Sequence, residues 1–176
     1  NVPVKDVQIN ELNLRYQVKK HEIKKIIGLK ILKLRRRSKY LLFFFTKNIV
    51  MIVHLGMTGK FFVEDNKKIK KKTSFYYNID EANDKKHNHI IFQFKNSLKL
   101  IYNDVRKFGF IKFDLINKLE DNSHLVILGP EPLKKRFDFK YFKNYIKGRN
   151  RTIKDLLMDQ KFVSGLGNIY VNEILF

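Results

Sequence analysis

The stretch SKYLLFFFTKNIVMIVHLG, residues 38–56, limits the possible folds more than any other part of this chain. It holds two apolar, β-branched and aromatic runs with Thr-Lys-Asn between them. Each run is strand-sized and too short for a buried helix. Lys47-Asn48 is suited to a tight reversal, so the segment predicts two buried strands joined by a turn. Strands apolar on both faces must be covered on both, which points to layered β structure. Neighbouring segments extend the pattern. LKILKLRRR (29–37) alternates as a strand does, and GKFFVED (59–65) reads as another. HNHIIFQFKNSLKLIYND (87–104) predicts a hairpin turning at Asn96-Ser97, with FGFIKFDLI (108–116) as its neighbour. TSFYYNI (73–79) reads as a further strand, and the lysine run KKIKKK (67–72) as a solvated loop or arm. Residues 1–17 carry short β-like pieces. VKKHEIKKIIG (18–28) reads as a short basic helix with Gly28 as its C-cap.

Past about Leu115 the period changes. INKLEDN suggests a helical turn, and GPEPL (129–133) is a rigid connector where a domain boundary is placed. FDFKYFKNYIKG then spaces Phe139, Phe142, Tyr145 and Ile146 as a helix would. TIKDLLMDQ predicts a second helix with Thr152 as N-cap. The turn KFVSGLG leads into a third, NIYVNEILF. The fold class is therefore α+β. An antiparallel β domain of sandwich or barrel type (1–124) is followed by a linker (125–134) and a helical module (135–176). No internal repeat is present.

Composition narrows the partners. The 176 residues carry 37 Lys and Arg against 17 Asp and Glu, a net charge of +20. Such a balance suits a polyanion. A blander source is codon bias in an AT-rich genome: there is one Ala, no Trp, and much Lys, Asn, Ile and Phe. Glu has not kept pace with Lys, however, and the eight Arg run against that bias. With 44% hydrophobic residues, including 16 Phe and 8 Tyr, the chain can bury a core. There is no Cys, so neither a disulfide nor a thiolate metal site exists within it. The five His form no H-E-x-x-H pattern, and His87 with His89 lacks an obvious third ligand, so no metal site is assigned. No apolar run is long enough to span a membrane, and no secretory signal is visible.

Several residues invite two readings. Asn168 follows SGLG, where glycines let backbone approach a phosphate and a helix N-terminus offers N–H groups; an ordinary turn with an N-cap looks the same. Lys39, next to Arg35, Arg36 and Arg37, is either a lysine at a strand end reaching solvent or a lysine pushed toward neutrality for acid–base work. From the sequence alone Met57 and Phe108 read as core residues, with exposed positions at loop tips as the alternative. Gly56, Gly59 and Gly109 beside them favour loop tips. A planar Arg106 between them could hydrogen-bond a base edge.

HLGMTGKF, HNHIIF, YNDVRKFG, LGPEPL, IKDLLMDQ and SGLGNIYVNEILF occur in this order, and together they closely resemble bacterial formamidopyrimidine-DNA glycosylases, base-excision enzymes for 8-oxoguanine. The likeness covers nearly the whole chain and is weakest before Leu29. It implies a β-sandwich followed by the first part of a helix–two-turns–helix DNA-binding module. It implies that Met57, Arg106 and Phe108 fill the void left by a flipped nucleotide, and that Lys39 assists the elimination steps. His87, Arg106, Lys107, Arg149, Arg151, Lys154 and Asn168 would contact DNA, with Lys154 the best match of the basic stretch. His89 would be structural. The roles of Glu173, Arg36 and Arg37 stay open. Val105 and Lys107 depart from the usual Pro and second Arg, and Lys107 cannot form a bidentate fork.

The resemblance further implies a bifunctional glycosylase/lyase, monomeric and in the bacterial cytoplasm. It would act on double-stranded DNA containing oxidised purines, remove 8-oxoguanine and formamidopyrimidines, and cut by β,δ-elimination. The family's Pro-Glu start and four-Cys zinc finger, with its one structural zinc, have no match here. The chain therefore reads as an internal fragment, inactive alone and poorly folded, with Ile169, Leu175 and Phe176 exposed. The rival readings are a non-catalytic DNA-binding relict, an endonuclease VIII-type relative acting on oxidised pyrimidines, and a plain basic RNA- or DNA-binding module.

Overall fold

The computed structural model describes residues 2–65, 68–72 (as backbone) and 85–176. The chain divides into two compact units. One comprises Asn1–Arg35 and Tyr40–Asn117, the other Arg36–Lys39 and Lys118–Phe176.

The first unit holds two antiparallel sheets. One has the order β1–β7–β8–β5–β6, from β1 (Val4–Ile9), β5 (Lys60–Asp65), β6 (Lys68–Lys72), β7 (Asn88–Phe94) and β8 (Lys99–Asn103). The other is β2–β3–β4–β9, from β2 (Ile31–Arg37), β3 (Tyr40–Phe45), β4 (Ile49–His54) and β9 (Phe110–Leu115). The hairpin read from SKYLLFFFTKNIVMIVHLG is β3–β4, with Tyr40 opposite His54 and Phe44 opposite Val50. Lys47 and Asn48 both take positive φ, 59° and 60°, which lets the chain reverse there. The β7–β8 hairpin reverses at Asn96-Ser97 as expected, with Ser97 alone at positive φ, 67°. The two sheets share one core. Phe43 of β3 meets Phe61 of β5 edge to face at 5.5 Å, among buried Val4, Ile23, Met51, Ile90 and Tyr102.

Three expectations for this unit need correction. β9 is not a neighbour of the β7–β8 hairpin; it crosses to the other sheet and pairs with β4, Ile49 opposite Leu115. Lys68–Lys72 form β6, paired with β5, because a ladder needs only backbone groups and the lysines do not prevent it. The basic helix is shorter than expected: α1 covers Lys20–Lys24, and turns carry the chain on to Gly28, at φ +82°. TSFYYNI lies outside the described residues.

The second unit contains α2 (Phe139–Ile146), α3 (Ile153–Met158) and α4 (Asn168–Leu175). Asp138 caps α2 by accepting from Tyr141 N at 2.7 Å. Thr152 caps α3 as expected, accepting from Asp155 N at 3.1 Å. The core centres on Phe162, which is fully buried. Tyr145 stacks on it at 4.2 Å and Tyr141 at 5.8 Å, and the Tyr141 hydroxyl donates to its carbonyl at 2.8 Å. The apolar face of α2 differs from the expected one. Phe139 is 78% exposed, and Tyr141 joins Phe142, Tyr145 and Ile146 against the core. INKLEDN forms a 3-10 turn at Ile116–Asp121. Among the described residues, no helix is long and apolar enough to cross a membrane.

Candidate nucleic-acid interface

Two loops of the first unit carry Met57, Arg106 and Phe108. The β4–β5 loop turns at Gly56, at φ +64°. A Cβ there would lie 2.7 Å from the Phe108 carbonyl carbon, so glycine lets this loop abut the backbone of the β8–β9 loop. Neither wedge candidate is in the core: Met57 is 66% exposed and Phe108 44%. Arg106 is also exposed, its guanidinium 4.4 Å from the centre of the Phe108 ring. A flexible thioether, an aromatic ring and a planar cation thus stand on adjoining loops, outside the core.

The same two loops meet at Asp104, which the sequence reading passed over. This carboxylate is fully buried. It accepts from the Thr58 hydroxyl at 2.5 Å, the Tyr102 hydroxyl at 3.1 Å and Gly109 N at 2.8 Å. Lys107, at φ +56°, pairs with Glu11. That bond and the Asn13 N–H hold the Glu11 carboxyl down to about 2. His87 is half-buried; its carbonyl accepts from Asp104 N at 3.2 Å. His89 is buried, with Nε2 2.7 Å from the Asp104 carbonyl oxygen.

In the second unit, the Arg36–Lys39 turn is held by Glu131 of GPEPL. Glu131 accepts from Arg36 Nη2 at 2.9 Å and from Ser38 N at 2.7 Å. Burial alone would raise the Glu131 carboxyl; Ser38 N and Arg36 bring it below its usual range. Arg37 donates to Ser164 Oγ at 2.7 Å and to the carbonyls of Leu128 and Gly129 at 2.9 and 2.8 Å. Arg36 and Arg37 are therefore engaged within the protein. Gln160 ties the glycine turn together: its Oε1 accepts from Gly165 N at 2.9 Å, and its Nε2 donates to the Leu166 carbonyl at 3.0 Å. Gly165 sits at φ +105°, a conformation glycine adopts without strain. A solitary acid in GPEP and a Gln just ahead of SGLG were the sequence traces of these two anchors.

Lys39 extends from the same turn toward Gly167, its Nζ 3.5 Å from where a Cβ at that glycine would lie. Its pKa is lowered by burial of the ammonium. Repulsion from the neighbouring arginines is not what lowers it; desolvation is. Gly167 is the N-cap of α4, and no side chain caps that helix. Asn168 is exposed at the first helical position, so the N-cap alternative for its side chain does not hold.

The other cations differ in their surroundings. Arg151 donates to Asp159 Oδ2 at 2.9 Å and to the Asp155 carbonyl at 3.1 Å. Arg149 donates to the Tyr145 carbonyl at 2.6 Å and lies over that ring at 4.2 Å. Lys154 and Glu173 are exposed on α3 and α4.

The family model described as the formamidopyrimidine-DNA glycosylase N-terminal domain matches residues 1–111, and that for the formamidopyrimidine-DNA glycosylase H2TH domain matches residues 128–176. The chain belongs to the formamidopyrimidine-DNA glycosylase family. It is 37% identical over 164 residues to a formamidopyrimidine-DNA glycosylase of Rhodopseudomonas palustris, covering 93% of this chain and 56% of that protein. The corresponding protein of Ligilactobacillus salivarius is 37% identical over 176 residues, 100% of this chain and 59% of its own. Among solved structures, Lactococcus lactis Fpg in complex with DNA containing an abasic site superposes with a TM-score of 0.81 at 28% identity. The match covers 99% of this chain and 59% of that one. The same enzyme with DNA containing N7-benzyl-Fapy-dG superposes equally well, also at 0.81 and 28%. The chain thus spans less than two thirds of the length of the relatives it matches.

Proposed function

We propose that the complete protein is a base-excision repair enzyme, a bifunctional DNA glycosylase and abasic-site lyase acting on oxidised purines in double-stranded DNA, and that it works as a monomer. One observation carries the reading. Met57, Arg106 and Phe108 stand exposed on two interlocked loops of a family member, where core packing does not account for them. Taking a nucleotide out of the duplex costs a few kcal/mol, and apolar and planar side chains that fill the gap offset that cost. Arg106, its guanidinium over the Phe108 ring, is suited to hydrogen-bond the orphaned base.

Within the second unit, the glycine turn is assigned to a phosphate. Asn168 and the uncapped N–H groups of α4 face an anion favourably, and Lys39 adds charge beside Gly167. Its lowered pKa makes the Lys39 ammonium a stronger acid than an exposed lysine, which suits a proton donor in β,δ-elimination. His87, Lys107, Arg149, Arg151 and Lys154 are assigned to the DNA backbone, Lys154 with the fewest competing contacts. Lys107 must share itself with Glu11, and Arg151 with Asp159.

Among the described residues, no group of three or more His, Cys, Asp or Glu could hold a metal ion, and the 176 residues contain no Cys. These residues do not fit the family's structural zinc, which is assigned to another part of the protein.

The test is borohydride trapping of the full-length protein on a duplex with 8-oxoguanine opposite cytosine. A covalent protein–DNA adduct is expected. Its absence, with binding retained, would identify a DNA-binding relict; an adduct formed only with oxidised pyrimidines would point to an endonuclease VIII-type specificity.

A further inference from the structure

The buried Asp104 has no place in the roles assigned so far. We infer that Asp104, through Thr58 on one loop and Gly109 on the other, is the positioning residue that sets Met57 against Arg106 and Phe108. The inference rests on the void-filling reading above and adds how the three side chains are held ready.

Asp104 Oδ1 takes the Thr58 hydroxyl, one residue beyond Met57. Its Oδ2 takes Gly109 N, one residue beyond Phe108, and the Tyr102 hydroxyl from β8. Thr58 is itself a relay: its Oγ1 donates to Asp104 and accepts from Arg106 N at 3.1 Å. One carboxylate and one hydroxyl therefore tie together the residue after Met57, the backbone N–H of Arg106 and the residue after Phe108. Burial pushes the Tyr102 hydroxyl far above its usual pKa, and the Asp104 charge pushes it further, so Tyr102 remains a donor. A buried carboxylate that accepts three donors is costly to disturb, because each donor left unmatched loses its partner without gaining water. The backbone contact at Gly56 closes the two loops on one another independently of this network. An apolar wedge works only if it is presented before the duplex opens. A loop that had to be ordered on binding would lower affinity for the gapped duplex and leave ordinary backbone attraction intact.

Thr58→Val removes the hydroxyl and keeps the shape, and Thr58→Ser restores the hydroxyl. Asp104→Asn leaves one oxygen and sets an amide against donors. Each is made in the full-length protein. Binding is measured to a duplex with an abasic site and to the same duplex undamaged, beside Met57→Ala and thermal unfolding. The expected result is a loss of about tenfold in preference for the abasic duplex in Thr58→Val. Affinity for undamaged duplex should stay within about twofold, and Thr58→Ser should recover most of the loss. Asp104→Asn, where it folds, should lose more. A Thr58→Val protein with unchanged preference, or one weakened equally on both duplexes, overturns the inference. If Met57→Ala lowers the preference in that experiment, the void-filling reading survives and only the positioning role falls. If Met57→Ala is itself without effect, both fall.

Discussion

Arg37 and Arg106 are the same residue type used in opposite ways. Arg37 directs its guanidinium at Ser164, Leu128, Gly129 and Glu131, all inside the second unit. Arg106 lies against Phe108 in the open. A basic chain in a DNA-repair family tempts one to count every cation as a DNA contact. The comparison shows that some of the charge holds the protein's own turn in shape. What separates the two cases is the number of protein acceptors each guanidinium already serves.

The comparison can be strained most severely through the core that Arg37 helps to anchor. Phe162→Ala should destabilise by about 3–5 kcal/mol, since it empties the centre of the Tyr141–Tyr145–Phe142 cluster, whereas exposed Phe139→Ala should stay within about 0.5 kcal/mol. Urea unfolding monitored by tyrosine fluorescence checks both. Arg37→Ala comes next, at about 2–4 kcal/mol, because it leaves Glu131 and two carbonyls short of a donor; Arg37→Lys should recover only part, lacking the planar fork. A loss for Arg37→Ala as small as that for Arg106→Ala, expected within about 0.5 kcal/mol, would dissolve the distinction.

Glu131 supplies a pH signature. Its folded pKa lies below the usual value of 4.5, so its contribution to stability is complete above that value. It is lost as pH falls through the lowered folded value, as the carboxyl protonates and Ser38 N and Arg36 lose their charged acceptor. Glu131→Gln should flatten that acid limb of the stability curve. An unchanged limb would mean that the turn is held without the ion pair.

How much of this was legible in the sequence followed from the range of the interaction. The β3–β4 hairpin and the Thr152 cap were readable because their determinants lie within a few residues of each other. The pairing of β9 was not, since an adjacent hairpin and a strand in the other sheet look alike locally. Phe139 misled because helical spacing gives a period without fixing which face is buried; the buried face follows from Phe162, more than a dozen residues on. Arg37 meets Ser164 across 127 residues, a contact no local pattern announces. At the candidate site, the resemblance supplied Met57, Arg106 and Phe108, while Asp104, Glu131 and Gln160 emerged only from their hydrogen bonds.

The most direct measurement is made on a Met57→Ala, Phe108→Ala double variant of the full-length protein, as the ratio of its affinities for abasic-site and undamaged duplex. The ratio should fall by more than about tenfold while the unfolding midpoint stays put, because neither side chain is in the core. A ratio equal to that of the unmodified protein, or a collapse of stability in its place, would contradict the account.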